Sequence, residues 1–119
     1  MKKVLVVDDS KVVRKYHSNI LKSAGYYVDS ASDGEEALEK SLLNQYDVIL
    51  VDINMPVMDG ITYIERYRQE EKETPMIIIT TQEESIHKDK GFDAGVNLYV
   101  VKPVVPEKLI LNIKILLGE

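Results

Sequence analysis

Five residues of this chain carry groups that could do chemistry together: Asp8 and Asp9, Asp52, Thr80 and Lys102. Three carboxylates, a hydroxyl and an ammonium form an oxygen-rich donor set with one built-in cation. Drawn into one pocket at roughly 5 Å, each carboxylate pair costs on the order of 3 kcal/mol at an effective dielectric of 20. Lys102 offsets part of that repulsion, and a divalent cation would offset the rest. Few oxygen ligands, with room left for water and a phosphoryl oxygen, suit Mg²⁺ better than Ca²⁺ and argue against zinc or copper. A carboxylate at Asp52 backed by metal, ammonium and hydroxyl is equipped to attack phosphorus.

Taken singly, each residue has a plainer role. Asp8 or Asp9 could cap a helix beginning near Ser10, Asp52 could open a turn, Thr80 could be a strand residue and Lys102 a loop lysine. What they share is an address. Each follows or ends a short apolar run: Val4 to Val7, Val48 to Val51, Met76 to Ile79, and Leu98 to Val101. Such β-branched runs suit strands covered on both faces, as in a parallel sheet. Tyr26-Tyr27-Val28 is a weaker run and is predicted at an edge.

Segments of helical period separate the runs. Ser10 is predicted to cap a helix whose inward face is Val13, Tyr16, Ile20 and Ala24, with Gly25 as its stop. Asp33 or Gly34 opens a second, with Ala37, Leu38, Ser41 and Leu42 inward. Asp59 heads a third carrying Ile61, Ile64 and Tyr67. The stretch from Glu83 to Ala94 has only Ile86 and Phe92 as large apolar residues. Pro106 fits the first turn of a last helix with Leu109, Ile110, Ile113, Leu116 and Leu117 as its stripe. Five strand–helix repeats predict an α/β fold, a doubly wound five-stranded parallel sheet. Ligands of such sheets bind outside the carboxyl ends of the strands, where the five residues fall.

Bulk properties narrow the function. The chain has 119 residues, enough for a single domain over 1–119. It lacks cysteine, which excludes disulfides, thiolate metal sites and cysteine nucleophiles. A net charge of −5 gives no global cationic field for nucleic acid. The first apolar run stops at Asp8, too soon for a signal core or membrane span, so a cytoplasmic location is expected.

The motifs Val-Asp-Asp at 7–9, Asp-Ile-Asn-Met-Pro-Val-Met-Asp-Gly at 52–60, Ile-Thr at 79–80 and Val-Lys-Pro at 101–103 together make the sequence resemble the receiver domain of two-component response regulators over its whole length. The resemblance implies a flavodoxin-like strand order of 2-1-3-4-5. It implies that Asp52 accepts a phosphoryl group from a phosphohistidine on a sensor histidine kinase. Mg²⁺ would be held by Asp9, Asp52 and the backbone carbonyl of Asn54, with Asp8 helping through water. Lys102 would contact phosphoryl oxygens, the bond to Pro103 would be cis, and Pro56 and Gly60 would shape the loop after the acceptor. Thr80 and Tyr99 would form a switch pair. Ile86, His87, Lys90, Tyr99, Val104 and Lys108 would belong to the output face. Such a protein is no dedicated metabolic enzyme, although it catalyses its own phosphorylation and dephosphorylation.

One departure stands out. Thr81 follows the switch hydroxyl where family members often carry Ala, so it is expected to alter the rate of phosphoryl gain or loss. Asn54 and Gln82 are candidates for positioning the water that ends the phosphorylated state. The Thr-Thr-Gln-Glu stretch and the residues around Lys102-Pro103 look most like stand-alone chemotaxis regulators. These act on a flagellar motor switch, are expected to be monomeric when unphosphorylated, and bind neither nucleic acid nor membrane directly. A phosphorelay intermediate or a receiver excised from a larger regulator is the alternative. A flavodoxin-like nucleotide or FMN binder would need a Gly/Ser/Thr-rich phosphate loop where this chain has Asp8-Asp9-Ser10-Lys11. A metabolite phosphohydrolase would need a substrate lid, and the loops are short.

Overall fold

A computed structural model describes all residues, 1–119. The elements run β1 (Lys3–Val7), α1 (Lys11–Ser23), β2 (Tyr27–Ala31), α2 (Gly34–Leu43), β3 (Val48–Val51), α3 (Gly60–Glu70), β4 (Met76–Thr80), α4 (Ser85–Ala94), β5 (Leu98–Val101) and α5 (Pro106–Leu117). All strand pairs are parallel, in the order β2-β1-β3-β4-β5. The expected doubly wound sheet is therefore present.

The sheet divides the core in two because strand side chains alternate between faces. Leu5, Val7, Ile49, Val51 and Ile78 pack with Ala37, Tyr63, Ile64 and Tyr67 of α2 and α3. Val4, Val6, Leu50, Ile77 and Ile79 pack on the other face with Leu21, Leu109 and Ile113 of α1 and α5. β3 and β4 are buried throughout, whereas β5 is half-buried and most of β2 is half-buried or exposed, as edge positions dictate.

Caps fix the helix starts. Ser10, Asp33 and Asp59 accept from the backbone N–H groups of Val13, Glu36 and Thr62. Gly25 follows α1 at φ +95°, a conformation that favours glycine.

Several inward faces differ from the sequence expectation. In α1 the buried residues are His17, Ser18 and Leu21, while Tyr16 and Ala24 are exposed. The apolar stripe read from periodicity is thus rotated away from the sheet. Leu42 of α2 is exposed, and Tyr63 is the fully buried residue of α3 that the pattern passed over. Ile86 and Phe92 of α4 are also exposed; only Gly91 of that helix is buried. β2 continues beyond Val28 to Ala31, pairing with β1 through Val7.

Candidate functional site: an acidic pocket at the carboxyl edge of the sheet

Register brings the acidic residues together. Val7 of β1 lies beside Val51 of β3, and the Asp52 N–H donates to the Val7 carbonyl at 3.0 Å. Both chains leave the sheet at this point, so Asp8, Asp9 and Asp52 each place a carboxylate oxygen within 4.8 Å of the others. Asp8 and Asp52 are buried, and Asp9 is exposed.

Lys102 closes the pocket from the end of β5. Its Nζ donates to Asp8 Oδ2 at 2.8 Å and to Asp52 Oδ2 at 3.1 Å. Its backbone N–H donates to the Thr80 carbonyl at 2.8 Å, and the bond to Pro103 is cis. Burial alone would lower the Lys102 pKa, but hydrogen bonds and charge from Asp8 and Asp52 outweigh it, and the pKa rises above the ordinary lysine value. Lys102 is a fixed cation here.

The remaining oxygens are partly committed. Asp8 Oδ1 accepts from Ser10 N–H at 2.9 Å, and Asp52 Oδ1 from Ile53 N–H at 2.7 Å. Arg14 Nη1 donates to the Asp8 carbonyl at 2.7 Å, bracing the turn from β1 into α1. Gly60, whose N–H donates to the Ile53 carbonyl at 2.8 Å, folds the following loop back on Asp52; a Cβ there would collide with the Asp52 carbonyl oxygen. Val57 in the same loop has φ +69°.

Free valences show what the pocket can hold. Asp9 accepts no hydrogen bond, and neither does the carbonyl of Asn54, an exposed residue two positions beyond Asp52. Three carboxylates face one ammonium, which leaves excess negative charge. An all-oxygen set with that excess charge fits magnesium, which the carboxylates of Asp8, Asp9 and Asp52 could hold. On β4, Thr80 Oγ1 is buried and has no hydrogen-bond partner, the only such buried side-chain atom in the molecule. A buried hydroxyl without a partner costs about 1–3 kcal/mol, so an acceptor arriving at this rim would relieve it.

The other expected residues spread around this centre. Tyr99 is half-buried, and its hydroxyl donates to the backbone carbonyl of Gln82. Its pKa is raised, first by burial and then by the Asp52 and Glu84 charges. Thr81 lines a cleft of about 310 Å³ with Val13, Tyr16, His17, Pro103 and Lys102. Ile86, Lys90 and Lys108 are exposed and His87 is half-buried against Glu84 at 3.1 Å. Val104 does not join them. It is 6 % exposed and packs with Leu109 and Ile113, so an output face must do without its side chain.

The sequence reading passed over His17, which is 3 % exposed in α1. Burial lowers its pKa below 6.5, helped by Lys102 and opposed by Asp8 and Asp52, so it is neutral near pH 7. Arg14 was missed as well. The available signal for His17 is its helical spacing from Val13 and Leu21, four residues to either side; nothing in the sequence marks Arg14. A cavity of about 740 Å³ opens at the opposite end of the sheet among Leu43, Tyr46, Thr74 and Leu117, and holds none of these groups.

The family model for the response regulator receiver domain matches residues 4–114. The chain belongs to the response-regulator receiver family. The receiver is 41% identical over 115 residues to the transcriptional regulatory protein ResD of Bacillus subtilis, covering 97% of this chain and 48% of ResD. It is 37% identical over 114 residues to the transcriptional regulatory protein SrrA of Staphylococcus aureus, covering 96% of this chain and 47% of SrrA. It thus spans about half the length of these curated relatives. Among solved structures, the chemotaxis protein CheY4 of Vibrio cholerae superposes with a TM-score of 0.92 at 40% identity, covering 98% of each chain. A CheY-like receiver from Methanospirillum hungatei gives a TM-score of 0.95 at 29% identity, covering 99% of this chain and 94% of its own. No helix of the receiver is long and apolar enough to cross a membrane.

Proposed function

We propose that this receiver takes a phosphoryl group onto Asp52 from a phosphohistidine of a sensor histidine kinase and signals through altered binding of a partner. The observation that carries this reading is the buried, unpartnered hydroxyl of Thr80 on the rim that also holds the Lys102-bridged carboxylates. In the transfer, a carboxylate oxygen of Asp52 forms the new O–P bond while the P–N bond to the donor imidazole breaks. The leaving nitrogen keeps the electron pair and takes its proton from solvent. Lys102 swings its ammonium onto the phosphoryl oxygens and Thr80 donates its hydroxyl to one of them. Magnesium, held by Asp9, Asp52 and the Asn54 carbonyl, would supply the positive charge that offsets the phosphoryl oxygens.

Phosphorylation adds close to −2 of charge and three acceptors, so it favours whichever arrangement of Lys102 and Thr80 satisfies them. Tyr99, in register with Ile78 two positions before Thr80, turns with that rearrangement and carries it to the exposed face bearing Ile86, His87, Lys90 and Lys108. Thr81, Asn54 and Gln82 are expected to tune the rate of phosphoryl gain and loss. Incubation with acetyl phosphate and magnesium should label Asp52 once per chain, and Asp52→Asn should abolish the label. Label retained in that variant would overturn the assignment.

For the output, the reading favoured is a cytoplasmic chemotaxis regulator that acts on a motor switch, supported by end-to-end similarity to CheY4. Similarity to ResD favours a second reading, the receiver portion of a longer transcriptional regulator. An antibody against this chain distinguishes them in the source cells. A 13.5 kDa species that binds a motor-switch peptide more tightly with beryllofluoride fits the first. A species about twice that mass fits the second.

A further inference from the structure

α4 buries little of its own side-chain surface. The side chain of its N-cap, Glu84, caps no backbone N–H, its apolar residues Ile86 and Phe92 face solvent, and Gly91 is its only buried residue. Its C-terminal end is held by α3, whose Arg68 Nε donates to the Gly95 carbonyl at 3.0 Å, and its inner face lies over Ile78 and Tyr99. A Cβ added at Gly91 would come within 2.7 Å of Ile78 Cδ1 and 3.5 Å of Tyr99 Cδ2, so the helix backbone rests directly on these two side chains. One turn earlier on the same face, the Lys88 ammonium stands 5.9 Å from the centre of the Tyr99 ring. Beneath that ring, the Tyr99 hydroxyl is bonded to the Gln82 carbonyl, in the segment that joins Thr80 to α4.

We infer that Lys88 is a positioning residue for the switch: its cation–π contact clamps the Tyr99 ring inward and thereby favours the phosphoryl-competent arrangement of Thr80. The inference rests on the reading of Asp52 as phosphoacceptor and of Tyr99 as its switch partner. A contact of this kind at an exposed site biases an equilibrium by a factor of about two to five. Linkage requires the same factor to appear in the affinity for anything that binds the favoured state. The full factor appears when the favoured arrangement is the minor one in the free chain, and a smaller one when that arrangement already predominates.

The test titrates beryllofluoride with magnesium into the full chain, and follows the Tyr99 ring by NMR on ¹³C-labelled tyrosine without either ligand. Lys88→Met keeps the aliphatic stem and removes the charge. It should weaken beryllofluoride about two- to five-fold and shift the Tyr99 ring resonance, whereas Lys88→Arg should keep both near wild type. In a Tyr99→Leu background, Lys88→Met should have no further effect on affinity. An unmoved ring signal in Lys88→Met, or an equal loss of affinity with Leu at position 99, would overturn the clamp. Absence of beryllofluoride binding in every variant, wild type included, would instead overturn the acceptor reading of Asp52, and the ring signal would still decide the clamp.

Discussion

Lys102 Nζ lies 3.1 Å from Asp52 Oδ2, a contact between residues fifty apart in sequence that exists only because β5 and β3 end on the same rim. The same ammonium reaches Asp8 at 2.8 Å, so one cation holds two buried carboxylates. Asp9 is the member of the acidic trio it does not touch.

That asymmetry makes Asp9→Asn informative. Asp9 accepts no hydrogen bond, and its charge only adds to the repulsion in the pocket. Without magnesium the variant should be more stable by about 1 kcal/mol, the size of a solvent-screened like-charge contact at this range. With magnesium the wild type should gain stability by mass action and the variant should gain little, so the order reverses. Urea unfolding with and without the metal measures both.

Thr80→Val should show a similar exchange of stability for function. Valine matches threonine in shape and removes the buried hydroxyl that lacks a partner. Unfolding free energy should rise by about 1 kcal/mol or slightly more. Beryllofluoride affinity should fall at the same time, since the hydroxyl finds its acceptor only in the loaded state. A variant less stable than wild type would show that the hydroxyl is already satisfied.

Val57 sits at φ +69° with a β-branched side chain that is 75 % exposed. Such a residue is strained there, and asparagine tolerates the conformation far better. Val57→Asn should therefore stabilise the fold by about 1 kcal/mol, read as a shift in urea midpoint at unchanged slope. Little apolar burial is lost in the exchange.

His17 sets a pH dependence. Burial depresses its pKa below 6.5 in the folded chain, so below that pH the unfolded state binds more protons. Stability from the neutral imidazole is fully present above pH 6.5 and is lost as pH falls through the lowered folded value. His17→Leu should keep its stability over that acidic window relative to wild type, while the two converge in slope above pH 7. Parallel curves across the whole range would contradict the assignment of His17 as a buried neutral group.

Much of this site was legible because parallel strands announce themselves as unbroken apolar runs. Once Val4 to Val7 and Val48 to Val51 are read as buried neighbours, Asp8 and Asp52 have nowhere to go but the same edge. Helix faces were harder. In α1, two stripes share Val13, and hydropathy prefers the one through Tyr16; the chain buries His17 and Leu21 instead, placing the imidazole beside Lys102. Tyr63 escaped notice because its hydroxyl lowers its apparent hydropathy, yet Ser41 Oγ satisfies that hydroxyl at 3.0 Å. The docking of α4 through Gly91 left no hydropathy signal, because a glycine contributes by having no side chain. Val104 belongs to the output face implied by the family resemblance, and its packing on Leu109 and Ile113 of α5 draws it inward instead.

The most direct measurement is a crystal of the chain soaked with magnesium and beryllofluoride. Beryllium should lie on a carboxylate oxygen of Asp52, with Thr80 Oγ1 and Lys102 Nζ on its fluorines. The metal should bridge Asp9, Asp52 and the Asn54 carbonyl. Metal bound elsewhere, or Asp52 unmodified with Thr80 still unpartnered, would contradict it.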